Sequence, residues 1–229
     1  MPQTSEGNVH ALQYREGKPS QGDPSRPVSE LFRLDDHTVI ITGATDFLGT
    51  TLAIAIIESG ADIICLDLFP TPTASNWDDV ENAAEKSQRR LSYYQLDVTD
   101  ENAVAETFGK FIPTLRYPVK GVVTCAGLSR NGPATEFPAS SFRKIFDINV
   151  TGTFLVAQAT AREMIRTNVT GSMVLVATAT AEALQKPGME AQWTSDNMLF
   201  RLSTVDEFRA PVLFMTGTDL RVDGGHFSW

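Results

Sequence analysis

Thr38-Val-Ile-Ile-Thr-Gly-Ala-Thr-Asp-Phe-Leu-Gly49 is the stretch from which the rest of the chain is read. Val39 to Ile41 is a short β-branched apolar run, the kind that is buried on both faces of a parallel sheet, and it stops at a Gly-bearing turn. Thr50 to Ser59 is apolar almost all round and ends at Gly60, the pattern of a buried helix with a glycine stop. Asp62-Ile-Ile-Cys-Leu66 follows at once, apolar again, and closes on Asp67. Strand, turn, helix and strand make a βαβ unit. Its first turn aims backbone N–H groups and a positive helix end at one point, which suits the pyrophosphate of a dinucleotide.

The 229 residues suit one ordinary domain with a tail, and 42% hydrophobic residues suffice for a core. A net charge of −9 argues against nucleic acid or a membrane surface as partner. Cys65 and Cys125 both fall in predicted strands and read as small apolar fillers rather than a disulfide. With no signal peptide pattern and no 18-residue apolar span, a cytoplasmic chain is expected. His10, His37 and His226 share no ligand spacing, so no metal site is expected.

Residues 1–30 are rich in Gln, Ser, Gly and Pro without apolar periodicity and predict a disordered tail, leaving 31–229 as the folded domain. After the loop Phe69 to Asn76 a polar helix is expected to about Arg90, then a strand from Leu91 to Asp97. Asp97-Val-Thr-Asp100 opens another helix, with Thr99 or Asp100 able to cap it. Val119 to Cys125 reads as a strand, Ser140 or Ser141 starts a long helix to about Thr167, and Gly171 to Thr178 is a fifth strand. This alternation predicts an α/β fold, a Rossmann-type doubly wound parallel sheet in a single domain.

Several segments now carry a family likeness. Thr42-Gly43-Ala-Thr45-Asp-Phe47-Leu48-Gly49 resembles the Thr-Gly-x-x-x-Gly-x-Gly turn of the short-chain dehydrogenase/reductase family, with Phe47 at the middle glycine. Asp97-Val98 resembles the family's acidic residue near the adenine, and Thr124-Cys-Ala126-Gly127 its Asn-Asn-Ala-Gly strand end. Asp147-Ile-Asn149-Val150 resembles the segment whose asparagine kinks the long helix and holds a proton-relay water. Met173 to Thr178 resembles the strand carrying the catalytic serine, and Val222-Asp-Gly-Gly225 the closing turn. The wording is most similar to fungal polyol and keto-sugar reductases.

The resemblance implies hydride transfer between NAD(P)H and a small carbonyl or secondary alcohol, with a homo-oligomer as the usual assembly. It assigns Gly43, Thr45, Leu48, Gly49, Asp67, Asp97, Val98, Ala126 and Gly127 to the cofactor, and Thr178 and Asn149 to catalysis. Asp67, about twenty residues past the turn, favours NAD over NADP by accepting ribose hydroxyls and repelling a 2′-phosphate; the plain alternative is a solvated strand-end carboxylate. Thr178 is equally readable as a β-branched strand residue, and Asn149 as a polar residue capping a kink.

The family's tyrosine and lysine are missing where they belong. Counting on from Thr178 reaches Ala191 and Ser195, which cannot transfer a proton or tune a group that does. Tyr14-x-x-x-Lys18 matches the motif literally but lies in the polar tail, ahead of the first strand. Glu182 to Met189 reads like the later substrate loop, so roughly fifty residues are expected to be lost near 178–182, with a smaller gap near 214–216 and a shortened C-terminal half. Two further functions compete: a cofactor-binding member without turnover, and a family member repurposed in a fungal secondary-metabolite pathway.

Overall fold

The computed structural model describes Pro27, Glu30, residues 32–176 and residues 204–213. Most of the expected tail with its Tyr14-x-x-x-Lys18, the stretch holding Thr178, Glu182–Met189, Ala191 and Ser195, and the closing turn at 222–225 lie outside the described residues. Five strands form one sheet: β1 (Thr38–Thr42), β2 (Asp62–Asp67), β3 (Leu91–Gln95), β4 (Val119–Thr124) and β5 (Ser172–Leu175). All four pairings are parallel and the order is β3-β2-β1-β4-β5. The expected doubly wound α/β sheet is therefore present.

Side chains alternate across a strand, and here both sides are covered. Val39, Ile41, Ile63, Cys65 and Val123 pack under α1 (Phe47–Glu58) and α2 (Trp77–Ser87). The intervening Ile40, Ile64, Leu66 and Val122 pack on the other face under α3 (Glu101–Phe111) and α5 (Thr153–Thr167). That two-sided burial is why these strands read as unbroken apolar runs. A short 3₁₀ turn (Val205–Phe208) leads into α6 (Arg209–Leu213), which adds Val212 to the α1 side.

Helix ends follow their local chemistry. Asp100, one of the two expected candidates, accepts hydrogen bonds from the N–H groups of Asn102 and Ala103 and caps α3. Gly60, at φ +102, ends the α1 turn where a Cβ would meet Asp35. α2 stops at Ser87, short of the expected Arg90, because Gln88 turns left-handed and the Arg90 N–H donates to the Asp62 carboxylate. β3 ends at Gln95 rather than Asp97, since Asp97 is drawn into the turn that opens α3.

Two expectations are corrected. Cys125 lies one residue past β4 and is only partly buried, unlike Cys65. β4 ends there because the chain crosses the end of β1, with the Cys125 N–H donating to the Thr42 carbonyl and the Ala126 N–H to the Thr42 hydroxyl. The long helix expected from Ser140 or Ser141 to Thr167, kinked at Asn149, is α4 (Ala139–Phe146), a wide π turn (Asp147–Gly152) and α5, so it starts earlier and its interruption is a whole turn. Gly152 packs on Val98 so closely that a Cβ would lie 2.6 Å from Val98 Cγ2, while Asn149 is held by Leu128. The wide turn admits both contacts and still lets α5 bury Val156, Thr160 and Met164.

Candidate functional site

Strand order reverses between β1 and β4, the point outside whose C-terminal strand ends open α/β sheets bind their ligands. Gly43 makes the turn out of β1 at φ +63, and a Cβ on it would stand 2.6 Å from the Ala126 backbone nitrogen. A Cβ on Gly49 would stand 2.1 Å from the Gly43 carbonyl oxygen. Both positions therefore exclude any side chain, and α1 starts hard against the strand end. Phe47 stands where the family's turn has its middle glycine. The helix nevertheless begins at Phe47, which is 71% exposed and so not packed into the turn.

Asp46 is the N-cap of α1 but makes no side-chain capping bond. The first-turn N–H groups of Phe47 and Leu48 accordingly meet no acceptor among the described residues. Free donors at the positive end of a twelve-residue helix are suited to an anionic oxygen. At the end of β4, opposite Thr42, the buried Thr124 Oγ1 has no partner among the described residues. The bare glycine turn and the unmet N–H groups of Phe47 and Leu48 fit a dinucleotide phosphate.

Asp67 closes β2 beside this turn. Its Oδ2 accepts from the Thr45 N–H at 2.9 Å and the Thr45 hydroxyl at 2.8 Å, and its Oδ1 from the Leu68 N–H at 2.8 Å. The Thr73 hydroxyl donates to Thr45 Oγ1, tying the following loop to the same point. Sequence reading singled out Thr45 and Asp67 separately and missed that they bind each other; twenty-two residues of separation carry no local signal. Asp46, next along, has its carboxyl pushed above the usual range by desolvation and then by the Asp67 charge.

The remaining expected residues fall in two groups. Asp97 Oδ1 accepts from the Thr99 N–H and hydroxyl, and Val98 packs beneath Gly152. Ala126 and Gly127 follow β4, and the Asn149 amide reaches this strand exit. Its oxygen accepts from the Leu128 N–H at 2.8 Å and its nitrogen donates to the Leu128 carbonyl at 3.0 Å. Asn149 thus grips the backbone beyond Gly127 from the π turn. Leu128 is the partner that sequence reading did not find, since it contributes only main-chain atoms. Thr178 lies outside the described residues.

This frame finds its counterpart in known proteins, for a family model described as short chain dehydrogenase matches residues 37–190. The chain belongs to the short-chain dehydrogenase family. It is 61% identical to a protein named short chain dehydrogenases/reductase notP' of Aspergillus versicolor, over 292 aligned positions and 100% of each chain. It is 33% identical to a D-arabinitol 2-dehydrogenase (ribulose-forming) of Candida tropicalis over 165 residues, 68% of this chain and 58% of that enzyme. The chain thus spans little more than half the length of that curated relative. In fold it resembles a gluconate 5-dehydrogenase from Burkholderia cenocepacia, solved with NADP and tartrate. The TM-score is 0.73 at 20% identity, covering 89% of this chain and 100% of that one.

Family membership places the chain among NAD(P)-dependent oxidoreductases of alcohols and carbonyls by descent. Among the described residues, no helix is long and apolar enough to cross a membrane.

Proposed function

We propose that the folded unit is the dinucleotide half of an oxidoreductase site that prefers NAD(H) and serves a small carbonyl or secondary alcohol. The observation that carries this is the β1–α1 turn, where Gly43 and Gly49 leave no side chain and α1 offers unmet N–H groups beside Asp67. A bound nicotinamide would give or take the hydride. Gly43, Thr45, Leu48 and Gly49 hold its pyrophosphate in this reading, Asp67 its adenosine ribose, and Asp97 with Val98 its adenine. Ala126 and Gly127 border the path to the nicotinamide, with Asn149 fixing their exit and Thr178 offering a hydroxyl to a substrate oxygen. The polyol and sugar-acid names of the relatives support a keto-sugar or polyol substrate.

A second reading, cofactor binding with turnover near background, has its own support. The alignment to the Aspergillus relative has 292 positions and this chain 229 residues, so at least 63 positions (292 − 229) have no counterpart here. That figure suits a segment lost near 178–182 together with a smaller gap near 214–216, and with it the tyrosine and lysine.

Self-association belongs to the same proposal. Phe142, Phe146, Val150 and Phe154 recur at every fourth position from α4 through the π turn to α5, each about half-exposed, an apolar stripe that a second copy would cover. A cytoplasmic location without nucleic-acid or membrane partners completes it.

The test is titration of the 229-residue chain with NADH by fluorescence, followed by NADH oxidation with a panel of keto sugars and quinones. Binding with background turnover, raised by restoring the lost segment, is expected. Absence of NADH binding overturns the dinucleotide reading. Strong turnover insensitive to Thr178→Ala and Asn149→Ala overturns the assignment of the reacting end.

A further inference from the structure

We propose that Tyr93 and Gln95, in β3, are positioning residues for the adenosine end of the dinucleotide: they hold the loop that follows β2 and, through it, Asp67. This rests on the dinucleotide reading above. Residues 68–73 join no ladder, and among the described residues none of their backbone groups bonds to another backbone group. Leu68 and Phe69 are exposed, so little packing holds them either. Side chains fix the loop instead. From β3 the Tyr93 hydroxyl donates to the Phe69 carbonyl at 2.7 Å, and Gln95 Nε2 donates to the Leu68 carbonyl at 3.0 Å. At the other end the Thr73 hydroxyl donates to Thr45 Oγ1 at 3.2 Å and Asn76 Nδ2 to Thr50 Oγ1 at 3.1 Å.

The hold passes to the site through Leu68. Gln95 grips its carbonyl while its N–H donates to Asp67 Oδ1 at 2.8 Å, so a shift of this residue withdraws a donor from the carboxylate. Tyr93 is itself seated edge-to-face on Trp77, with ring centroids 5.7 Å apart, which keeps its hydroxyl aimed at Phe69. Burial and then the Asp67 charge push that hydroxyl up to about 12, so it remains a donor at neutral pH. With either tie cut, the loop spends part of its time out of place. The apparent affinity for a ligand that needs it in place then falls in proportion.

The experiment measures dissociation constants for NADH, by nicotinamide fluorescence, and for ADP-ribose, by displacement of NADH. It compares the 229-residue chain with Tyr93→Phe, Gln95→Met, their double variant and Tyr94→Phe. Phenylalanine keeps the contact with Trp77 and methionine keeps the length of Gln95, so each change removes a donor and little packing. Tyr94 packs against Phe111 on the other side of the sheet and serves as the control. NADH and ADP-ribose are both expected to bind about fivefold weaker in each single variant and about tenfold or more in the double, with Tyr94→Phe within about twofold of wild type. Amide exchange at Leu68 is expected to quicken in the unliganded variants and to slow again under saturating NADH, a response that a general loss of stability would not confine to this loop. Wild-type binding of NADH with the double variant unchanged, or an equal loss in Tyr94→Phe and Tyr93→Phe, refutes the positioning role while leaving the dinucleotide site standing. A wild-type chain that binds neither NADH nor ADP-ribose removes the site and this proposal together.

Discussion

Gly49→Ala tests how tightly α1 is seated on the strand end. Position 49 already has a helical backbone, so the added methyl brings no conformational penalty of its own and the whole effect is contact. The new Cβ would lie 2.1 Å from the Gly43 carbonyl oxygen and 3.0 Å from two Ala44 backbone atoms. Carbon does not approach that oxygen closer than about 3 Å, so helix and turn must part by about 1 Å, at the upper end of overpacking costs, about 3 kcal/mol. For a domain of this size that lowers the melting temperature by roughly 6–12 °C, and the urea midpoint by about 1.5 M at a slope near 2 kcal/mol/M. Gly109→Ala is the control, because a Cβ there meets nothing within 4 Å in the interior of α3. It should stabilise by about 0.5–1 kcal/mol. Urea unfolding followed by circular dichroism measures both. A Gly49→Ala protein within 1 kcal/mol of wild type would refute the close seating.

Asn149→Ala removes two hydrogen bonds to Leu128 and should cost about 1–2 kcal/mol. Amide exchange should speed up at Leu128 more than in the sheet; uniform change would show that the grip is not local. The Cys125 thiol is pushed up to about 12 by burial and then by the Asp46 charge. At pH 8 it should present about a thousandth of the thiolate of an ordinary cysteine, so iodoacetamide labelling of native protein is slow and rises tenfold per pH unit. Labelling at the rate of the unfolded chain would contradict this. Phe146→Glu places a charge in the middle of the exposed apolar stripe and should shift light-scattering mass toward the monomer; an unchanged assembly would put the contact elsewhere.

The β1–α1–β2 unit was legible because each part has a short-range signature: apolar strands buried on both sides, a turn that needs glycine, and a helix stop at Gly60. The parallel, doubly wound sheet followed from alternation of elements, and the sequence narrowed the cap of α3 to Thr99 or Asp100, while the strand order came only with the structure. What stayed illegible depends on contacts between distant backbone atoms. The π turn arises because Gly152 must meet Val98 and Asn149 must meet Leu128, and no helix propensity encodes that pair of demands. The binding of Asp67 to Thr45 was hidden for the same reason: strand-end carboxylates look alike whether they face solvent or a turn. Cys125 read as a strand residue because its neighbours are apolar, but its amide is spent on the Thr42 carbonyl where β4 leaves the sheet.

A wide turn carries about one residue more than a regular helix uses over the same rise, so Asp147–Gly152 acts as a phase adjuster between α4 and α5. Deleting one residue within it would let the helix close into regular geometry with α5 still in phase, whereas closing the turn with every residue retained would rotate everything downstream by about 100°. Val156, Thr160 and Met164 would swing off the sheet, and Arg162 or Arg166 would turn toward it. The extra residue is thus contained within one turn instead of being read by the whole of α5. The reading frame of the helix, more than the identity of its side chains, is what this segment protects.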